Sequence, residues 1–215
     1  FRSIGVTLQI SLGTLLAILL STKSKFTNYF TLPFMIPVFI SPVVVGLIWK
    51  FMFNYDLGIL NYLLNVIGLE SVNWLGTTRT AFWSVVIIDT WQWTPFTTLI
   101  IKAGLDSVDP TPQEAATVDG ATRVQIFRYV TFPTIAPIFT VALLFRTLDA
   151  FKAFDIIYVS TRGDLETNLL AVKMLDEFSK YRNFGRSSTV AVLIFVCVLP
   201  VIIGTALRER ENSDL

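Results

Sequence analysis

Residues 111–133 read TPQEAATVDGATRVQIFRYVTFP, and this stretch decides how the rest of the chain is read. Thr111, Pro112 and Glu114 spell a capping box with proline at the first helical position, which predicts a helix start. Gly120 can take the left-handed conformation that closes such a helix. Thr122 and Gln125 spell a second capping box, and Pro133 marks entry to the apolar run that follows. The expectation is two short polar helices joined by a hinge. Ala115 and Ala116 on the first would let another protein's surface approach closely. A short turn would suffice merely to connect the flanking segments.

Outward from this hairpin the chain is apolar. Of 215 residues, 53% are hydrophobic and only 15% charged, with a mean hydropathy of +0.63. So little charge at this length points away from an ordinary soluble domain. A net charge of +1 gives no electrostatic reason for a nucleic-acid partner. The chain has no histidine, and Cys197 is its single cysteine, inside an apolar run. Zinc sites, histidine-based catalysis and disulfide frameworks are therefore excluded, and neither a metal, a catalytic residue nor a cofactor is expected. The chain opens at Phe1 with no charged region ahead of an apolar core, as expected of a fragment or processed product.

A helix needs roughly 20 mostly apolar residues to cross the hydrocarbon core of a bilayer. Five segments qualify, about 3–20, 29–53, 80–101, 134–158 and 188–207. Pro33, Pro37 and Pro42 fall in the second, so that span is expected to kink or partly unwind and to need neighbours. The connection 54–79 is expected to hold turns around a short helix, and 159–187 to form a long polar loop. Lysines and arginines outside the spans divide equally between the two sides, so the positive-inside rule does not orient the bundle.

The hairpin supplies what the charge census lacks. Glu114-Ala115-Ala116, Asp119-Gly120-Ala121, Phe127 and Pro133 resemble the EAA loop of binding-protein-dependent ABC importer permeases. The similarity extends to Trp91-Gln92-Trp93-Thr94-Pro95-Phe96 with Ala103-Gly104-Leu105, and to Phe154-Asp155-Ile156-Ile157-Tyr158 with Thr161, which look like the maltose-type sugar permeases. Where that subgroup continues Gly-Gly-Pro, this chain has Arg162-Gly163-Asp164.

The resemblance implies an all-α, polytopic membrane bundle of the type I importer kind. It would be a single domain over residues 1–215, with a further span ahead of the five seen here. The loop at about 104–133 would be cytoplasmic, placing Lys23, Lys25 and the tail inside and loops 54–79 and 159–187 outside. Glu114, Ala115, Ala116, Asp119, Gly120 and Ala121 would dock on a dimer of ATPase subunits. Further implied partners are a second, different permease chain, an extracytoplasmic solute-binding protein and the bilayer of a bacterial or archaeal cytoplasmic membrane. No phosphate-binding G-x-x-x-x-G-K-[ST] loop occurs in the chain, so ATP hydrolysis would belong to partners. The solute would be a sugar or polyol, the alternative being a non-carbohydrate solute carried by the same importer class.

Charges inside the spans suggest where the solute passes. Arg146, Asp149, Lys152 and Asp155 alternate in sign at i,i+3 spacing and can pair along one helix. An unpaired charge at mid-bilayer costs at least about 2.5–3.5 kcal/mol, so pairing matters. At about 1.5 Å per residue, Arg146 lies about 18 Å into its span. Asp89, Trp91 and Trp93 reach a similar depth from the opposite direction, roughly 14–20 Å. Aromatic faces beside charged hydrogen-bonding groups suit a polyhydroxylated ligand, so Asp89, Trp91, Trp93, Arg146 and Asp149 are candidates for the solute path. The competing reading makes the charge pairs helix-to-helix ties alone. Lys50, near the end of its span, reads as a snorkelling anchor. Two other classes fit less well. An ion-coupled secondary transporter calls for internal repeats that are not detectable here, and an intramembrane enzyme built on Asp89 and Asp149 lacks a supporting motif.

Overall fold

The computed structural model describes residues 2–21, 31–152, 155–161 and 169–213. Every regular element among them is helical. In chain order these are α1 (Arg2–Ser21), α2 (31–34), α3 (Ile36–Phe39), α4 (Pro42–Met52), α5 (Ile59–Val66), α6 (Thr78–Asp106), α7 (Thr111–Val118) and α8 (Arg123–Ile126). A π turn at Phe127–Thr131 leads into α9 (Phe132–Lys152), followed by α10 (Asp155–Ser160), α11 (Leu170–Ser179) and α12 (Phe184–Ser213).

Three long helices form the centre. Helices α1 and α6 run parallel at very close range. A Cβ placed on Gly13 would sit 2.9 Å from the Thr97 side chain, and one on Gly5 would sit 3.3 Å from the Asp89 carboxylate. Ala17, one turn further on, is fully buried. In lipid, water gives little drive to helix association, so close packing of small residues does much of the work. Helix α9 packs antiparallel against this pair, with Ile138 against Gly104 and with Ile135, Ala142 and Ala150 in the shared core. A second core gathers Val45, Val85, Ile88, Ile156 and Val172 from α4, α6, α10 and α11, with Phe53 from just beyond α4.

The proline-rich span breaks where its prolines require. It is divided into α2, α3 and α4, with Ser41 extended ahead of Pro42. The Ile40 carbonyl, left at the break, accepts from the Gln92 side chain at 3.1 Å, so a neighbour satisfies it. Two described helices, Ser3–Ser21 and Arg123–Ala150, are individually long and apolar enough to cross a bilayer. Helix α6 has the length, 29 residues, but buries Asp89, Gln92 and several threonines.

Three sequence expectations need correction. Residues 159–187 are more than a polar loop: α11 buries Ala171 and Val172, and Arg182, at φ +52°, lies in the link to α12. Pro133 does not open its span, because the helical path already runs from Arg123. The π turn makes this possible, since the Phe132 amide reaches back to Phe127 and the widened turn accommodates a residue that cannot donate. Lastly, Thr111 does not cap α7. It is the first helical residue, behind Pro110 at the N-cap, and Asp109 Oδ1 accepts from its amide at 3.0 Å and its hydroxyl at 2.8 Å. A carboxylate that can form such a turn outcompetes a hydroxyl as the acceptor. These two bonds hold the Asp109 carboxyl below its ordinary pKa.

Candidate functional site

The first site is the polar hairpin α7–α8. Helix α7 buries none of its residues, and Glu114, Ala115, Asp119 and Gly120 are exposed, with Ala116 and Ala121 half-buried. Its exit is a complete Schellman motif: the Ala121 amide donates to the Ala116 carbonyl at 3.0 Å and the Gly120 amide to Thr117 at 3.1 Å. Gly120 sits at φ +82°, the left-handed region that glycine enters without strain. The second capping box forms as expected, with Thr122 and Gln125 satisfying each other's backbone amides. Such capping fixes a solvent-facing helix that has no core of its own. Val118 at its end is 87% exposed, an apolar tip left uncovered by the described residues.

The second site is a polar cluster deep between α1, α6 and α9. Arg146 is 1% exposed and is held on four sides. Its Nε donates to Gln9 Oε1 at 2.8 Å and its Nη1 to Asp149 Oδ2 at 2.8 Å. Its Nη2 lies 3.7 Å from Asp89 Oδ2, and the guanidinium stacks 4.8 Å from the Trp93 ring. Gln9 completes the loop by donating to Asp89 at both the carboxylate, 2.7 Å, and the backbone carbonyl, 3.1 Å. Its amide is thereby oriented, nitrogen toward the carboxylate and oxygen toward the guanidinium.

Asp89, Trp93, Arg146 and Asp149 are thus brought together. Trp91 is not. It lies on another face of α6, edge-on to Trp49 at 5.6 Å, and lines an apolar groove with Leu8, Leu12, Pro33 and Trp83. Residues two apart on a helix point about 200° apart, so equal depth does not mean a shared face. Asp155 is half-buried at the start of α10, and the Lys152 side chain lies outside the described residues, as do Lys23, Lys25, Phe154, Arg162, Gly163 and Asp164. Gln9 was missed by sequence reasoning. The available signal was a glutamine within an otherwise apolar span, where a polar group needs a partner. Lys50 is exposed at the end of α4, its Nζ donating to the Val159 carbonyl at 3.3 Å, as suits an anchor.

The accessibility of the cluster is uneven. The Asp149 side chain is 44% exposed, against 12% for Asp89. Trp93 is half-buried. The cluster can therefore present one carboxylate and part of an indole to a ligand, with Gln9, Asp89 and Arg146 behind them.

Known proteins match this chain along nearly its whole length. Residues 9–210 match the model of the family described as binding-protein-dependent transport system inner membrane component. The trehalose/maltose transport system permease protein of Thermococcus litoralis is 36% identical over 93% of this chain and 68% of its own length. The trehalose transport system permease protein of Mycobacterium tuberculosis is 36% identical over 91% of this chain and 62% of its own. The chain spans about two thirds of the length of such relatives. A solved bacterial ABC transporter that imports the polysaccharide alginate shares the fold, with a TM-score of 0.89 at 21% identity over 98% of this chain and 75% of that one. These relatives are transporter permeases and not enzymes. The long apolar helices fit the matched description, and the chain belongs to the family of binding-protein-dependent transport system inner membrane components.

Proposed function

We propose that the chain is the permease subunit of an ATP-driven importer, forming part of the path for a sugar or polyol. The observation that carries this reading is α7, a helix with no buried residue, closed by a Schellman motif and set between two long helices. It is built to be touched by another protein. ATPase subunits fit that role, because the chain carries no nucleotide loop of its own. A second permease, a solute-binding protein on the far side, and loops 54–79 and 159–187 facing outward complete the assembly. The sugar or polyol assignment draws on the names of the relatives, among them trehalose and maltose systems, and on the chemistry of the polar cluster.

The two sites share one piece of backbone. The helical path from Arg123 through the π turn to Lys152 starts beside the hairpin and carries Arg146 and Asp149 on its inner part. From Arg123 to Arg146 the rise is about 35 Å. A displacement of α7 by a closing ATPase would be transmitted along this path to the cluster, so opening toward one side and then the other follows from moving one rigid element.

Within this reading Asp149 and Trp93 contact the solute, and Gln9, Asp89 and Arg146 position them. Asp149→Asn keeps the shape and one acceptor oxygen while removing the charge. The expected outcome is a change of about three-fold or more in apparent uptake affinity or in solute preference, with complex yield near wild type. Yield and uptake kinetics measured on the same samples separate the possibilities. Reduced assembly with unchanged affinity in the surviving complexes would make Asp149 a structural counter-ion only.

A further inference from the structure

Helix α5, in the connection between α4 and α6, is amphipathic in an inverted sense. Its body-facing side is Leu60, Asn61 and Leu64, all buried or half-buried. Its outward side is Ile59, Tyr62, Leu63, Val66 and Ile67, at i, i+3, i+4, i+7 and i+8, and every one of these is exposed. This is a full apolar helical face turned away from the protein.

The helix is firmly seated. Asn61 is 2% exposed and makes four hydrogen bonds: its Nδ2 donates to the Tyr55 and Val72 carbonyls, and its Oδ1 accepts from the Val72 amide and the Trp74 indole. Trp74 in turn packs on Phe53 at 5.3 Å, just beyond the end of α4, and its carbonyl accepts from the Ser84 hydroxyl of α6. The apolar face is therefore held in place at the mouth of two spans. It is not left exposed by a loose loop.

We infer that α5 is an interfacial helix whose outer face lies in the headgroup–acyl boundary of the bilayer. Continuity selects lipid as the occupant. The outward side of α4 is a strip of exposed Val44, Leu47, Ile48 and Phe51, which in an inner-membrane component faces hydrocarbon chains. That strip runs on, with Lys50 and Asp56 as its exposed charged residues, through exposed Tyr55 and Leu57 to the face of α5. Tyr55 and Tyr62 have the apolar ring and polar tip that favour this depth, and Lys50 is an anchor of the same kind. Asp56, Asn65 and Glu70 flank the face, where headgroups and water begin. The inference depends on membrane placement alone and is independent of which solute is carried.

The test uses the assembled transporter in nanodiscs of phosphatidylethanolamine and phosphatidylglycerol, on a Cys197→Ser background. An environment-sensitive fluorophore is attached through Val66→Cys, Ile67→Cys or, as a solvent-facing reference, Glu70→Cys. Lipids spin-labelled near the headgroup should quench the probe at positions 66 and 67 at least twice as strongly as at 70, and aqueous iodide should show the reverse order. Iodide quenching at 66 and 67 equal to that at 70 overturns the inference. So does protection that develops only when the solute-binding protein is added, which would assign the face to protein docking. A failure here leaves the ATPase-coupling reading untouched, because neither readout involves transport.

Discussion

Replacing Arg146 by methionine is expected to cut the yield of folded, membrane-integrated protein to a small fraction of wild type. Methionine fills similar volume, so the loss comes from the partners left behind. Asp89 would lose its ion-pair partner at 12% side-chain exposure, and the Gln9 oxygen would lose its donor in a buried site. Removing one member of a buried ion pair typically costs about 3–5 kcal/mol, a large part of any domain's stability. The control is the double variant Arg146→Met with Asp89→Asn. It removes both charges and leaves a side-chain amide oxygen at position 89 to accept from Gln9, so yield and thermal stability in detergent should recover substantially. Asp149, with 44% of its side chain exposed, can be hydrated without its partner. A single variant as stable as wild type would show that the cluster does not hold α1, α6 and α9 together.

The second large effect is expected on transport and not on folding. Gly120→Pro conflicts with the backbone twice: proline holds φ near −65° where the chain needs +82°, and it removes the amide that donates to Thr117. The exit of α7 would be re-aimed. Ala115→Trp acts differently, adding bulk to an exposed position where two proteins must meet, and for that reason it is a cleaner probe than the half-buried Ala116. Both variants should insert normally and lose at least nine-tenths of uptake. Gly120→Ala, which meets only the left-handed penalty of about 1 kcal/mol, should fall between them and wild type. Full uptake by Ala115→Trp at normal expression would remove α7 from the coupling route.

What the sequence made legible were features set by local chemistry. The broken span follows from Pro33, Pro37 and Pro42, the hinge of the hairpin from Gly120, and the second capping box from Thr122 and Gln125. Features set by competition or by azimuth were hidden. Thr111 became the first helical residue and not the cap, because a stronger acceptor, Asp109, stood two residues earlier and took its amide and hydroxyl. The π turn at Phe127–Thr131 leaves no local signature beyond the proline it accommodates. Trp91 was grouped with Trp93 by depth, although the advance of about 100° per residue already separates them. Gln9 escaped because its meaning lies in residues 80 and 137 positions away along the chain. The Arg146–Asp149 pair was legible because both members sit one turn apart on a single helix, whereas the three-helix cluster around it required the packing.

The most direct measurement is affinity purification of the tagged chain, within its complete transporter, from detergent-solubilised membranes, comparing wild type with Ala115→Trp and Gly120→Pro. The account predicts that an ATPase subunit co-elutes with wild type and is lost from both variants, while the second permease remains bound to all three. Recovery of the wild-type chain with no ATPase, or equal ATPase recovery with the variants, would contradict it.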